Sequence, residues 1–158
     1  MKRVIIQSIA NVLLYVLAAV LLSSIARQLV VFQDDPLKGT GFNLSLDLSI
    51  ILPIVLLLVL LTSLGYFSRT NKTLGFSRWS TTTPEFSDND ERERFITGQA
   101  TRIAYVSFLV SIPVVMVSFI AYPYFSARFP TFPFYALAAV LSIGTLSYMS
   151  AWIYYYKK

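Results

Sequence analysis

Neither cysteine nor histidine occurs anywhere in this 158-residue sequence. Without thiols the chain forms no disulfide and holds no iron–sulfur cluster, and without imidazole it lacks a very common metal ligand and the usual general base near neutral pH. Neither the glycine-rich P-loop nor the glycine-rich dinucleotide-binding motif is present in the sequence. We therefore expect no metal and no cofactor, and the sequence predicts a protein that is not an enzyme.

Charged side chains are also scarce, at 13% of the residues, whereas 56% of the residues are hydrophobic. A soluble domain is about one quarter charged, so this composition indicates an integral membrane protein. Four apolar segments contain no charged residue and reach the roughly 20 helical residues that cross a hydrocarbon core of about 30 Å. These segments are residues 4–25, 48–67, 103–125 and 134–156. The sequence predicts an all-α, polytopic membrane protein, a single membrane domain over 1–158 with four transmembrane helices in two hairpins.

The apolar segments contain no ionisable group of the kind that carries a proton or cation at mid-membrane. This argues against a carrier of protons or cations. It leaves transport of a small neutral substrate by an oligomer, along a path lined by serines and Asn11, as an alternative to a protein that binds a partner.

In the fourth segment Ala138 and Ser142, and then Ser147 and Ala151, are pairs of small residues four apart. Such spacing lets helix backbones approach closely, within one bundle or between protomers.

Basic residues flank the ends of the apolar segments in an uneven way. With both termini and the loop 68–102 in the cytoplasm, ten basic residues lie inside and three, Arg27, Lys38 and Arg128, lie outside. The positive-inside rule therefore predicts a multi-pass protein of the cell membrane with cytoplasmic N- and C-termini. The small residues around Ser24-Ile25-Ala26 also fit a signal-peptide cleavage site, but the apolar run before them is longer than the usual 7–15 residues. Basic residues at span ends do not indicate a nucleic-acid partner.

The loop ends in a charged segment that has a helical pattern. Asp88 and Glu91 form a capping-box spacing, which predicts a helix start. One helical stripe then carries Phe95, Ile96, Ala100, Ile103 and Ala104. This pattern predicts an amphipathic helix on the cytoplasmic membrane surface that bends at Gly98 into the third span.

The start of this helix is the candidate partner-binding site. Its residues are Asp90, Glu91, Arg92, Arg94, Phe95 and Ile96. Interleaved acids and bases next to two apolar side chains fit docking of a membrane or cytoplasmic partner, or contact between copies of this chain. The same residues also fit a solvated helix surface, or a lipid anchor made by Phe95 and Ile96.

Asp90-Glu91-Arg92, followed by Ile96, Ala100 and a basic Arg102 ahead of an apolar span, resembles the signature of small four-span prokaryotic membrane proteins whose function is not known. The resemblance covers about 15 residues, and the sequence departs from the pattern at Gly98 and in its threonine-rich loop. The resemblance implies a four-span fold, but it does not point to any particular activity. The expected function is a small membrane accessory or regulatory protein, with an immunity-type protein as a further alternative.

Overall fold

The computed structural model describes residues 2–34, 48–67 and 91–158. All regular structure in these residues is helical, which confirms the all-α class for the described part of the chain. The helices are α1 at Lys2–Asp34, α2 at Leu48–Phe67, α3 at Glu91–Phe125 and α4 at Phe132–Lys157.

Three of these helices, α1, α3 and α4, are long and apolar enough to cross a membrane. The predicted segments 4–25, 103–125 and 134–156 each lie within one of them. In α2 the apolar part counted among the described residues, Ile50–Thr62, is shorter than a span requires. A fourth span and the arrangement in two hairpins therefore stay predictions.

Helix α4 occupies an interior position among the described helices. It packs against α3 on one side and against α1 on the other, and α1 in turn packs against α2. The order of contact is α3, α4, α1, α2. Near the start of α4, the Ser23 and Tyr135 hydroxyls lie 3.2 Å apart and join α1 to α4. The side of α3 that faces away from α4 is covered by no other described helix.

Helix α3 begins twelve residues before the predicted span, at Glu91, and continues through Gly98 as one helix of 35 residues. At 1.5 Å per residue it is about 52 Å long, well beyond a hydrocarbon core of about 30 Å. The charged start, predicted as an amphipathic surface helix that bends at Gly98 into the span, is thus continuous with the span, because Gly98 costs only about 1 kcal/mol within a helix and does not end it. The bend and the position on the membrane surface stay predictions. The predicted cap at Asp88 lies outside the described residues.

A tight turn of residues 126–131 connects α3 to α4. The backbone N–H groups of Arg128 and Phe129 donate to the carbonyl of Phe125, at 3.0 and 2.9 Å, and satisfy the end of α3. The Tyr122 hydroxyl donates to the Pro130 carbonyl at 2.9 Å. The ring of Phe132, at the start of α4, packs edge to face against Phe125, with ring centroids 5.2 Å apart. The short turn makes α3 and α4 antiparallel neighbours.

Small side chains make up most of the buried residues of α3 and α4. On α3 the buried residues include Ala100, Ala104 and Ser111, and on α4 they include Ala136, Ala138, Val140, Gly144 and Ala151. The Phe108 ring of α3 lies directly over Gly144, where any added Cβ would overlap it. Because lipid is as apolar as the helices, close van der Waals packing of this kind is what holds membrane helices together. Of the small residues predicted to allow a close approach, Ala138 and Ala151 are buried, whereas Ser142 and Ser147 are half-buried.

Candidate partner-binding surface at the charged end

Three helices meet where α3 begins and α4 ends, which we call the charged end of the bundle. Its core consists of Val4 from α1, Ile96 and Ala100 from α3, and Ala151 and Trp152 from α4. Trp152 is only 3% exposed, although it is the largest side chain in the group. Ile96 and Ala100 of the predicted apolar stripe are thus directed at this core and hold the first turns of α3 in place, whereas Phe95 and Ile103 of the same stripe are exposed.

Arg92 joins the two helices at the edge of this core. Its guanidinium lies over the Tyr156 ring, 5.7 Å from the ring centroid, and Nη2 donates to the Tyr156 carbonyl at 3.3 Å. The Tyr156 ring stacks in turn on Trp152, with centroids 4.9 Å apart and an interplanar angle of 16°. Carbonyls in the last turn of a helix have no donor within the helix, so Arg92 supplies one and adds a cation–π contact.

The structure separates the residues of the predicted site into different environments. Glu91, Arg92, Arg94 and Phe95 are exposed, Ile96 is buried, and Asp90 lies outside the described residues. Phe95 is 63% exposed, whereas its neighbour Ile96 is only 2% exposed and belongs to the core. A partner on this surface would therefore contact Phe95 and not Ile96, and the lipid anchor predicted for the pair can involve Phe95 alone.

Glu91, Arg94 and Phe95 lie within one helical turn and are all exposed, so we call them the α3 ridge. Residues three and four apart are neighbours on a helix surface, which places Glu91 next to both Arg94 and Phe95. Because Ile96 and Ala100 anchor the same turns in the core, the ridge presents its charges and its aromatic ring from a fixed backbone. Such a surface can recognise a partner through charge pairs around an apolar contact.

A groove of about 780 Å³ runs along the side of α3 next to α4. Gln99, Arg102 and Tyr155 line one end of it, at the charged end, and Val106, Val110 and Ile143 line it further along. The sequence analysis did not recognise this groove. The sequence pattern that could have revealed the groove is the spacing of Arg102, Val106, Val110 and Val114. These residues are four apart and so lie on one face of α3.

The serines that the transport hypothesis placed along a polar path bond within their own helix. The Ser107 hydroxyl donates to the Ile103 carbonyl at 3.0 Å, and the Ser111 hydroxyl donates to the Phe108 carbonyl at 3.5 Å. Ser118 donates to the Val115 carbonyl in the same way, at 2.6 Å. Each donated proton is therefore used on the backbone, so these three serines do not favour transport of a polar substrate.

Three helices with the length and apolarity of membrane spans define an integral membrane protein. The chain belongs to the family described as "Predicted membrane protein (DUF2178)", which matches residues 4–158. This match confirms the expectation that the chain is a membrane protein. Whether Asp90-Glu91-Arg92 is part of the family's pattern stays a prediction.

One relative is the "Uncharacterized lipoprotein YgaO" of Bacillus subtilis (strain 168). It is 38% identical to this chain over 65 residues, which are 41% of this chain and 41% of the relative. The matched part thus spans about two fifths of that relative's length. No solved structure matches the chain.

Proposed function

We propose that this chain is a small accessory or regulatory membrane protein that binds a membrane or cytoplasmic partner through the α3 ridge. The observation that carries the proposal is the exposure of Phe95, at 63%, beside Glu91 and Arg94 on a segment whose other face is buried in the core. A binding surface that is already rigid loses less conformational entropy when a partner docks, so more of its contact energy appears as affinity.

The ridge also distinguishes this proposal from a lipid anchor. A lipid anchor would require a broad apolar face, but Ile96 and Ala100 face the core and leave Phe95 alone among charged neighbours. An immunity-type protein would act by binding its target and could use the same ridge. No described contact favours transport over binding.

The first experiment exchanges the charges of the ridge. The double variant Glu91→Lys and Arg94→Glu keeps the net charge of the chain, and therefore the balance of basic residues that sets its orientation. We expect copurification of the partner in mild detergent to fall at least about tenfold, because complementary charge governs encounter and specificity. The abundance of the protein should remain normal, since exposed ion pairs contribute only about 0–1 kcal/mol to stability.

The matched control is Arg128→Glu, which reverses an exposed charge in the turn at the opposite end of α3. It should leave recovery of the partner unchanged. Arg92 is not a suitable position for this test, because its contacts with Tyr156 couple it to the fold. Equal recovery of the partner by the wild-type protein and by the double variant, at equal abundance, would contradict docking on the ridge.

Orientation is a separate prediction, and it rests on the distribution of basic residues. We propose that both termini and the segment 68–102 face the cytoplasm of a cell membrane. Reporter fusions at Lys158 and near Trp79 should both give a cytoplasmic signal, and a fusion near Lys38 should give an external one. A cytoplasmic signal at Lys38 would overturn the two-hairpin topology, because α1 and the segment after it would then not cross as predicted.

A further inference from the structure

The groove beside α3 has two chemically different parts. At the charged end its lining residues are Gln99, Arg102 and Tyr155, whose side chains carry an amide, a guanidinium and a hydroxyl. Beyond Arg102 it is bordered mainly by the aliphatic side chains of Val106, Val110, Val114 and Ile143. Ser107 and Ser111 also line this part, but their hydroxyls donate to carbonyls of their own helix. A ligand that fits both parts has a polar, negatively charged head joined to a hydrocarbon tail.

The length of the groove matches one leaflet of a bilayer. Arg102 and Val114 are twelve residues apart on one helix, or about 18 Å along its axis. Half of a hydrocarbon core of about 30 Å is about 15 Å. An acyl chain that lies along the valines therefore places the phosphate of its lipid near Arg102. Lys157 and Lys158 are exposed at the same end of the bundle and add positive charge to that end.

The volume of the groove favours a lipid chain over a protein helix. About 780 Å³ lies within the range of roughly 300–1,000 Å³ that small-molecule sites occupy. A transmembrane helix about 10 Å wide and 30 Å long occupies roughly 2,400 Å³, so it could only lie across the opening. Basic pockets between membrane helices are known to recognise anionic headgroups.

We propose that this groove is a binding site for an anionic glycerophospholipid. In this site Arg102 binds the phosphate, Gln99 and Tyr155 offer hydrogen bonds to the headgroup, and one acyl chain lies against Val106, Val110 and Ile143. The lipid belongs to the leaflet at the charged end, which is the cytoplasmic leaflet in the predicted orientation. The site lies beside the α3 ridge, and it does not depend on the partner proposed there.

The test is native mass spectrometry of the full chain in mild detergent, titrated with phosphatidylglycerol or with phosphatidylcholine of the same acyl chains. We expect the wild-type protein to retain phosphatidylglycerol about tenfold more strongly than phosphatidylcholine, because a charge-assisted contact adds to the burial of the chain. Arg102→Gln should remove this preference. Val110→Trp, which fills the groove, should weaken retention of both lipids about tenfold.

Two control variants carry the same substitutions outside the groove. Arg128→Gln removes a guanidinium in the turn at the far end of α3, and Val117→Trp enlarges an exposed valine of α3 that does not border the groove. Both should retain lipid as the wild-type protein does. Inorganic phosphate in excess should not displace phosphatidylglycerol, because the acyl chain supplies part of the affinity. Arg102 and Val110 are both exposed, so neither substitution disturbs the core.

Three results would overturn the proposal. One is equal retention of the two lipids by the wild-type protein and all variants. That result would show only the ordinary contact that any membrane protein makes with the surrounding bilayer. Another is full displacement by inorganic phosphate, which would reduce the site to an anion contact at Arg102. The third is a dimer that Val110→Trp disrupts while lipid retention stays constant, which would make a second copy of the chain the occupant of the groove. If Val110→Trp fails to insert, the comparison of Arg102→Gln with Arg128→Gln still decides the headgroup contact.

Discussion

Replacing Trp152 with alanine should lower the free energy of unfolding by about 3 kcal/mol, a typical cost of truncating a large buried aromatic side chain. Trp152 fills the space between Val4, Ile96 and Ala100, and the Tyr156 ring stacks on one face of the Trp152 ring. Its loss leaves a cavity where three helices meet and removes the support of the Tyr156 ring to which Arg92 is bound. Reversible unfolding in mixed detergent micelles, followed by far-ultraviolet circular dichroism, measures the change.

Tyr154→Ala is the matched control for this prediction. Tyr154 lies two residues further along α4 and is an aromatic residue of similar size, but it is largely exposed. Its truncation should cost less than about 1 kcal/mol, because exposed side chains lose little packing. Trp152→Phe should fall between the two, since it keeps a ring in the core. Equal costs at Trp152 and Tyr154 would show that the charged end has no packed core.

Replacing Gly144 with leucine should separate α3 from α4 and lower stability by about 1–3 kcal/mol, the usual cost of overpacking a core. The Phe108 ring occupies the space where the first side-chain carbon would lie, and the backbone of α4 cannot withdraw without losing its other contacts with α3. Gly144→Ala should cost less, because one methyl group requires a smaller displacement of the Phe108 ring than a leucine side chain does. The same detergent unfolding experiment applies.

Two further variants make this prediction specific. Ala139→Leu enlarges an exposed small residue of the same helix, and it should change stability by less than about 0.5 kcal/mol. Phe108→Ala combined with Gly144→Leu should recover part of the loss, because the leucine then fills the space that the ring has left. The coupling between neighbouring positions is commonly about 0.5–3 kcal/mol. Strict additivity of the two substitutions would contradict the contact between Phe108 and Gly144.

The position of the ridge has a consequence for how partner-binding variants are interpreted. Phe95 and Ile96 are adjacent and similarly apolar in the sequence, but a change at Ile96 alters the core of the charged end while a change at Phe95 alters only the surface. Loss of a partner after Ile96→Ser would therefore report unfolding of the first turns of α3. The corresponding loss after Phe95→Ser, at normal stability, reports binding.

The sequence by itself determined the class of the protein and the location of three of its helices. Apolar segments without charges identify membrane spans, because placing a charge in hydrocarbon is costly and a helix is the simplest way to satisfy the backbone there. The small residues Ala138 and Ala151 also indicated where α4 approaches its neighbours. Residues 91–102 had a readable helical pattern, and the structure extends α3 through them.

Only the tertiary structure decided which side of each helix is covered and by what. A helical period relates residues of one helix to each other, but the neighbour on each face is set by contacts between distant parts of the chain. Arg92 bonds to Tyr156 across 64 positions, and Phe108 lies over Gly144 in the next helix. In a membrane this information is especially weak in the sequence, because lipid-facing and core-facing residues are equally apolar and differ mainly in size and shape. The burial of Ile96 beside an exposed Phe95 is therefore a result of how α3 packs on α4.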